Sequence, residues 1–434
     1  MIKYYLESHI ATNKDIQNNC ALSERQVLRV LDKLGDSVVK IPSGRSPKYA
    51  LTTSAFGVGD RINIWDVDEQ GKHHCIAALR PLSVGGFFVE IVAENSALLL
   101  GNEGSGLYEE LPFFLKGMAP QGFLGQKIAK ELSLRESAFA KNPDDWGDEQ
   151  VGQYLLSNND DSLGSLKLGN GANLRLTPSC TRSTPSDYSA LADEVMNEDS
   201  VMSSAGGEQA KFVSFCTEKQ QHVLVKFSPK GDGPSATRWR DILISEYYAN
   251  KIINRSRELT AATSTLIEKE GRLFLESIRF DRQGEHGRSS MLSLNSVDAE
   301  FIGSSDDWVT SLTGLHEKAL LSQQDLFKGL CLWLFGRLIN NSNMHLANMS
   351  LSLGDNVFNL LPTYDMCSMG FAPRSNGEVL PFEFSKPDAT DAALDGVNVE
   401  GVQKMANAYW HKLLAAPEIS DEFRVFIAAF LSKS

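Results

Sequence analysis

Apolar positions in the first fifty residues recur three times at helical spacing and then switch to alternation. Residues 2–9 open a first helix. Thr12 and Asp15 have capping-box spacing and predict a second helix through about Asn19. Ser23 with Gln26 repeats the device ahead of Val27, Leu28, Val30, Leu31 and Leu34, a third helix that stops at Gly35. VVKI, the turn PSGRSP and KYALT then read as two strands around a Pro/Gly turn. Helix, helix, helix, hairpin is the order of a winged helix-turn-helix.

Short alternating stretches (RINIWDV, HCIAALRPL, FFVEIV) between about Asp60 and Val92 predict antiparallel sheet. His73, His74 and Cys75 lie side by side there. Neighbours on a strand point to opposite faces and no second ligand cluster accompanies them, so they do not read as a metal site. Residues 111–135 read as a Gly/Pro-rich loop followed by an amphipathic helix, and residues 157–187 as exposed strand and loop. HVLVKF is an apolar strand, DILISEYYANKII a helix, and GRLFLESIRFDR a strand running into charge. Residues 318–341 form one long helical pattern, and two more helices follow from about Val399. The expected organisation is α+β: a winged helix-turn-helix over residues 1–52, a β-rich lobe over 53–280 and a helical lobe over 281–434.

With 42% hydrophobic and 22% charged residues, the 434-residue chain reads as soluble globular protein of two or three domains. No run of about 18 apolar residues suggests a membrane span, MIKYYLESHI is not a signal peptide, and six scattered cysteines suit a reducing compartment. A cytoplasmic location with no membrane partner is expected. The net charge of −13 argues against nonspecific nucleic-acid binding by the whole molecule. Residues 1–50, however, hold eight Lys or Arg against five acids, a net of +3 that leaves −16 for the remainder. This basic head suits DNA or a protein partner. On the DNA reading, Ser23, Arg25, Gln26 and Arg29 face bases and phosphates from the third helix, and Arg45 and Lys48 reach out from the wing.

The candidate chemistry lies further along. Asn343 and Asn348 are five apart in NNSNMHLANMS, and Asp365 follows in LLPTYDMCS. Phosphotransferases of the protein-kinase type place an Asp and an Asn at that spacing, then a second Asp: the first takes the substrate hydroxyl proton, the other two hold magnesium. Here the first position is an amide. Ser203, Ser204, Gly206, Gly207, Gln209 and Lys211 belong to a small-residue loop, SSAGGEQAKFV, able to approach a phosphate, although a Gly pair alone reads equally as a hairpin. Lys226 ends the next strand and Glu246 lies twenty residues on in a helix, the pairing a kinase uses. Singly, they read as a solvated strand end and a helix-surface acid. A hinge containing Glu276 would turn its backbone toward adenine. His345 reads as an anchor of the loop more than as a substitute base.

From roughly Leu111 to the C-terminus these motifs, in this order, resemble the HipA family, the Ser/Thr kinases of bacterial toxin–antitoxin systems. SSAGGEQAKF resembles its phosphate loop, LVKF its lysine strand, ESIRFDR its hinge, and NNSNMHLANMSL with LPTYDMCS its catalytic and metal motifs. The resemblance implies a two-lobed protein-kinase-like fold, ATP and Mg²⁺ as cofactors, Lys226 on the phosphates, and Asn348 with Asp365 on the metal. It also implies phosphorylation of Ser203 or Ser204 in the family's self-inhibiting reaction. Its usual partner is a separate helix-turn-helix antitoxin, whereas this chain carries a reading head of its own. No residue pattern names the protein substrate. Asn343 stands where the family has Asp, so retained Mg·ATP binding with weak or absent transfer is expected. Two origins stay open: a natural pseudokinase, or a working kinase inactivated by one substitution. The expected function is a HipA-like toxin kinase with a DNA-binding head. The alternative is a pseudokinase-type regulator that binds DNA and senses nucleotide; a small-molecule phosphotransferase would use the same site.

Overall fold

The computed structural model describes residues 1–93, 97–157, 161–171, 180–198, 209–305, 307–373 and 396–433. The head begins with α1 (Ile2–Leu6), β1 (Ala11–Thr12), α2 (Asn13–Cys20) and α3 (Glu24–Leu34), followed by β2 (Val38–Ile41) and β3 (Lys48–Leu51). Both expected capping boxes are present, Thr12 with Asp15 and Ser23 with Gln26, and Gly35 caps α3 at φ +53°. The three strands pair antiparallel in the order β1-β3-β2; β1 is too short to show as an alternating stretch in the sequence. Val27 and Leu31 of α3 are buried with Ile2, Leu6 and Ile16. Leu28, expected in the apolar stripe, is 46% exposed, because Val27, Val30, Leu31 and Leu34 already complete one face at helical spacing.

The hairpin of the head packs onto the neighbouring sheet domain. Its Val39, Ile41 and Ala50 share a small core with Leu82 and Phe88. Arg80 is buried; its Nε donates to the Asp60 carbonyl at 2.8 Å and its Nη2 to the Asp36 carbonyl, just past α3.

Residues 53–280 hold two sheets where one β-rich lobe was expected. The first combines β4 (Ile62–Val67), β5 (His73–Pro81), β6 (Phe87–Ile91), β7 (Leu107–Tyr108) and β8 (Leu166–Leu168), all antiparallel, in the order β7-β6-β5-β4-β8. Between β7 and β8 run α4 (Phe113–Lys116), α5 (Gly122–Arg135) and α6 (Asp148–Ser157). α4 forms where a loop was expected: Phe113, Phe114 and Leu115 are all buried, so the core supplies what local propensity does not.

The second sheet contains β9 (Arg182–Ser183), β10 (Lys211–Cys216), β11 (Gln221–Phe227), β12 (Ser264–Lys269) and β13 (Arg272–Ile278), in the order β12-β13-β11-β10-β9. α7 (Tyr188–Glu198) covers one face and α8 (Pro234–Ile253) lies against the other. Two small sheets complete the strands: β14 (Arg282–Gln283) with β15 (Gly287–Arg288), lying against β11 and the turn between β4 and β5, and β16 (Leu292–Ser293) with β17 (Ser350–Leu353) and β18 (Phe358–Leu360), set among the helices of the last lobe. Those helices are α9 (Leu294–Phe301), α10 (Trp308–Glu317), α11 (Gln323–Leu338), α12 (Val399–Leu414) and α13 (Asp421–Lys433). α11 starts five residues later than the sequence pattern suggests, because the Ser322 hydroxyl accepts the Asp325 N–H as an N-cap.

Candidate functional site

Strand register builds the first half of the site. Lys226 lies opposite Lys211 on β10 and opposite Leu275 on β13, so both lysines face α8. Glu246, in the buried stripe of α8, comes to meet them: Lys226 Nζ donates to Glu246 Oε1 at 2.8 Å and to Oε2 at 2.6 Å. It also donates to Asp365 Oδ1. Lys226 and Glu246 are buried and Asp365 is partly open. Neither the solvated strand end nor the helix-surface acid describes this pair.

Charge in this cluster is mutually determined. Burial alone would lower the Lys226 pKa, but the Asp365 and Glu246 carboxylates reverse that and hold it above its ordinary value. Burial would raise Asp365, yet Lys226 and Lys211 outweigh it and keep the carboxyl ionised, with His345 adding to them. Burial pushes Glu246 up against the pull of Lys226. Asp365 is thus the ionised carboxylate of the cluster and, being partly open, the one a cation could reach.

The second half is a loop knitted by amides. Asn340 leaves α11 at φ +57°. Asn341, buried, donates from Nδ2 to the Asp365 carbonyl at 3.3 Å and accepts the Asn343 N–H on Oδ1 at 3.1 Å. Asn348 Nδ2 donates to the Asn343 carbonyl at 2.7 Å. The backbone of Asn343 is therefore held from both sides while its side chain is exposed. Nothing in the polar run NNSN marked Asn341 as the buried bridge between this loop and Asp365; only its position after a buried helix hints at it. The His345 carbonyl accepts from Trp308 Nε1 at 2.9 Å, and the Ala347 carbonyl from Tyr364 Oη at 2.9 Å. His345 thus anchors the loop through its backbone, and its imidazole is exposed. Asp365 itself sits at φ +54°, a left-handed conformation that costs a non-Gly residue energy and clusters at functional positions.

Oxygen donors remain for a hard cation. Among the described residues, the Asn348 amide oxygen and the second Asp365 oxygen accept no hydrogen bond, a set that suits Mg²⁺ completed by phosphates and water. No group of three or more His, Cys, Asp or Glu able to hold a metal occurs among the described residues. Gln209 Nε2, at the end of the small-residue loop, is buried with no partner, an orphan donor that an anionic ligand would satisfy. Ser203, Ser204, Gly206 and Gly207 lie outside the described residues.

Glu276 is a correction. The hinge reading turns its backbone toward adenine, but Glu276 lies within β13, paired with Val225 of β11 and Thr265 of β12; its carboxylate, one position out of phase with Lys226, points to the other face of the sheet. There Tyr188 Oη and Lys219 Nζ donate to it. The charged run after it is buried as well: Arg279 and Arg282 clamp Asp281, whose Oδ2 accepts the Gly164 N–H at 3.1 Å, tying this stretch to the first sheet's domain.

In the head, Arg25, Arg29, Arg45 and Lys48 are exposed. Ser23 and Gln26 are exposed too, but Gln26 Oε1 accepts both the N–H and the hydroxyl of Ser23 at 2.9 Å, so they serve first as the cap of α3.

A paired lysine and glutamate, an asparagine-knitted loop and a strained aspartate, set between a sheet and a helical lobe, belong to a mixed fold similar in structure to HipA. The crystallised Shewanella oneidensis HipA, solved with HipB and its operator DNA, superposes with a TM-score of 0.57 at 14% identity, over 85% of this chain and 94% of that one. Residues 58–177 match the family model of the YjjJ-like toxin middle domain, and residues 203–417 that of the HipA-like C-terminal domain. Toxin YjjJ of Escherichia coli (strain K12) is 31% identical over 427 residues, which span 94% of this chain and 91% of that protein. The chain belongs to the HipA-like toxin family.

Proposed function

We propose that this chain is a toxin-type Ser/Thr protein kinase that binds Mg·ATP, carries a DNA-reading winged helix-turn-helix head, and is slowed at the transfer step by Asn343. The observation that carries this reading is the contact of Lys226 with Glu246 and Asp365 beside the Asn343–Asn348 loop. Lys226 and Lys211 would meet phosphate oxygens. Asn348 and Asp365 would hold the metal, whose role when bound is to neutralise charge on the phosphates.

Transfer requires the substrate hydroxyl oxygen to attack the γ-phosphorus as its proton leaves and as the bond from that phosphorus to the departing ADP oxygen breaks. Asn343 can orient that hydroxyl through its amide but cannot take the proton at neutral pH. Loss of a positioned base costs on the order of 10²–10⁴ in rate. Titration calorimetry with Mg·ATP tests the reading: binding is expected, and its absence in the folded protein overturns it.

The head supports DNA as a partner through its strand order β1-β3-β2, its capped α3 and the exposed Arg25 and Arg29. The Shewanella HipA structure contains HipB and operator DNA, which supports an antitoxin and an operator as partners here. Asn343 also supports the second reading, a nucleotide-sensing regulator without phosphotransfer. Operator binding that changes with ATP, with no transfer even after Asn343→Asp, would favour it.

A further inference from the structure

Behind the nucleotide site three hydroxyls meet in a chamber that water does not reach. Ser245 precedes Glu246 on α8, Ser368 is three residues past Asp365, and Tyr409 lies on α12; each is 0% exposed. Their donors run in one direction. Tyr409 Oη lies 2.7 Å from Ser368 Oγ, whose own proton goes to the Ile339 carbonyl at 2.8 Å, so the tyrosine donates. The Ser368 N–H reaches Ser245 Oγ at 3.2 Å, and Ser245 Oγ donates to the Ile242 carbonyl at 2.8 Å. Every hydroxyl proton has an acceptor.

The placement of these groups gives them a function. Ile339 caps the end of α11, four residues before Asn343. Ser368 therefore touches the helix that carries Glu246, the turn that carries Asp365 and the entry to the catalytic loop. Apolar packing tolerates small slides between such elements, whereas a fully satisfied buried network admits one arrangement. A slide of α8 against the Asp365 turn would part Lys226 from one of its two carboxylates.

We propose that Ser245, Ser368 and Tyr409 are positioning residues that hold α8, the Asp365 turn and the catalytic loop in register, and so aim Lys226 and Asp365 at Mg·ATP. The assignment rests on the Mg·ATP reading above. None of the three touches the ligand; they act through Glu246 and Asp365.

The test compares Ser368→Ala with the double variant Ser368→Ala/Tyr409→Phe, which also removes the tyrosine hydroxyl that loses its Ser368 acceptor. Thermal melting, Mg·ATP titration and thiol labelling of Cys367 are followed in each. Cys367 is buried two residues past Asp365, and mass spectrometry of its peptide reports opening of this chamber with no nucleotide present. The single variant is expected to melt earlier and to bind Mg·ATP about tenfold more weakly. The double variant is expected to recover melting temperature while keeping the weak binding and a Cys367 labelling rate raised about tenfold. A double variant with the parent's affinity and labelling rate overturns the positioning role. If the parent binds no Mg·ATP but the variants still accelerate Cys367 labelling, the nucleotide reading falls and the register role stands.

Discussion

An amide and a carboxylate have nearly the same shape, and on the proposed kinase reading the difference between them at position 343 separates binding from chemistry. The backbone of Asn343 is pinned by Asn341 and Asn348 whichever side chain it carries. Asn343→Asp is therefore expected to raise phosphotransfer by roughly 10²–10⁴, with Mg·ATP affinity little changed. Autophosphorylation with labelled ATP measures it, and an inert variant points to the regulator instead. Asp241 offers a second single-residue prediction. It accepts the N–H and hydroxyl of Ser420 at the start of α13, and burial pushes its carboxyl up to about 6. Because the folded value lies above the unfolded one, the native state takes up the proton first, and this group's contribution to stability falls as pH rises from about 4 to 6. Asp241→Asn keeps an acceptor for the Ser420 N–H and removes the charge. It is expected to stabilise the protein at pH 7 by about 1–3 kcal/mol, with little gain at pH 4, read from denaturant melts at both values.

Elements carry function here by what they turn outward or inward. α3 buries Val27 and Leu31 and leaves Arg25 and Arg29 in solvent. On the DNA reading, Arg25→Ala and Arg29→Ala should each weaken binding, and loss of a phosphate contact should reduce the log–log salt slope by about 1. Unchanged affinity in a salt-series binding assay would remove the head from DNA recognition. β11 and β13 show the opposite economy. A one-residue step along β13 separates Leu275, facing Lys226, from Glu276, facing Tyr188 and Lys219.

Taken whole, the molecule is one connected body from the head through both sheets to the helical lobe. The small core around Leu82 and Phe88 and the reach of Arg80 to the Asp36 carbonyl fasten the DNA-reading candidate to the first sheet. The Arg279–Asp281–Arg282 cluster fastens that domain to the second. A ligand held by the folded site alone must stabilise the fold around it. Mg·ATP at 100 times its Kd is expected to add about 2.7 kcal/mol, visible as a higher melting temperature. Lys226→Met should abolish that shift. It should also cost about 3–5 kcal/mol by itself, because it strands a buried carboxylate at Glu246. No helix among the described residues is long and apolar enough to cross a membrane.

Much of this was already written along the chain. Capping boxes and alternation are local signals, readable because a helix end or a pleat needs its residue types at set intervals, and the spacing of Asn343, Asn348 and Asp365 is visible along the chain in the same way. The pairing of Lys226 with Glu246 was legible for the same reason, as strand end and helix spaced for contact. Which face a side chain takes was not. Leu28 turns to solvent and Glu276 lies mid-strand instead of in a hinge, because packing and register are decided by partners distant in sequence. Asn341, Ser245, Ser368 and Tyr409 carry no signature at all: buried polar residues become informative only when folding brings donors and acceptors from separate elements within hydrogen-bond reach and water is excluded between them. The residue types of the site are a property of the chain; their register is a property of the fold.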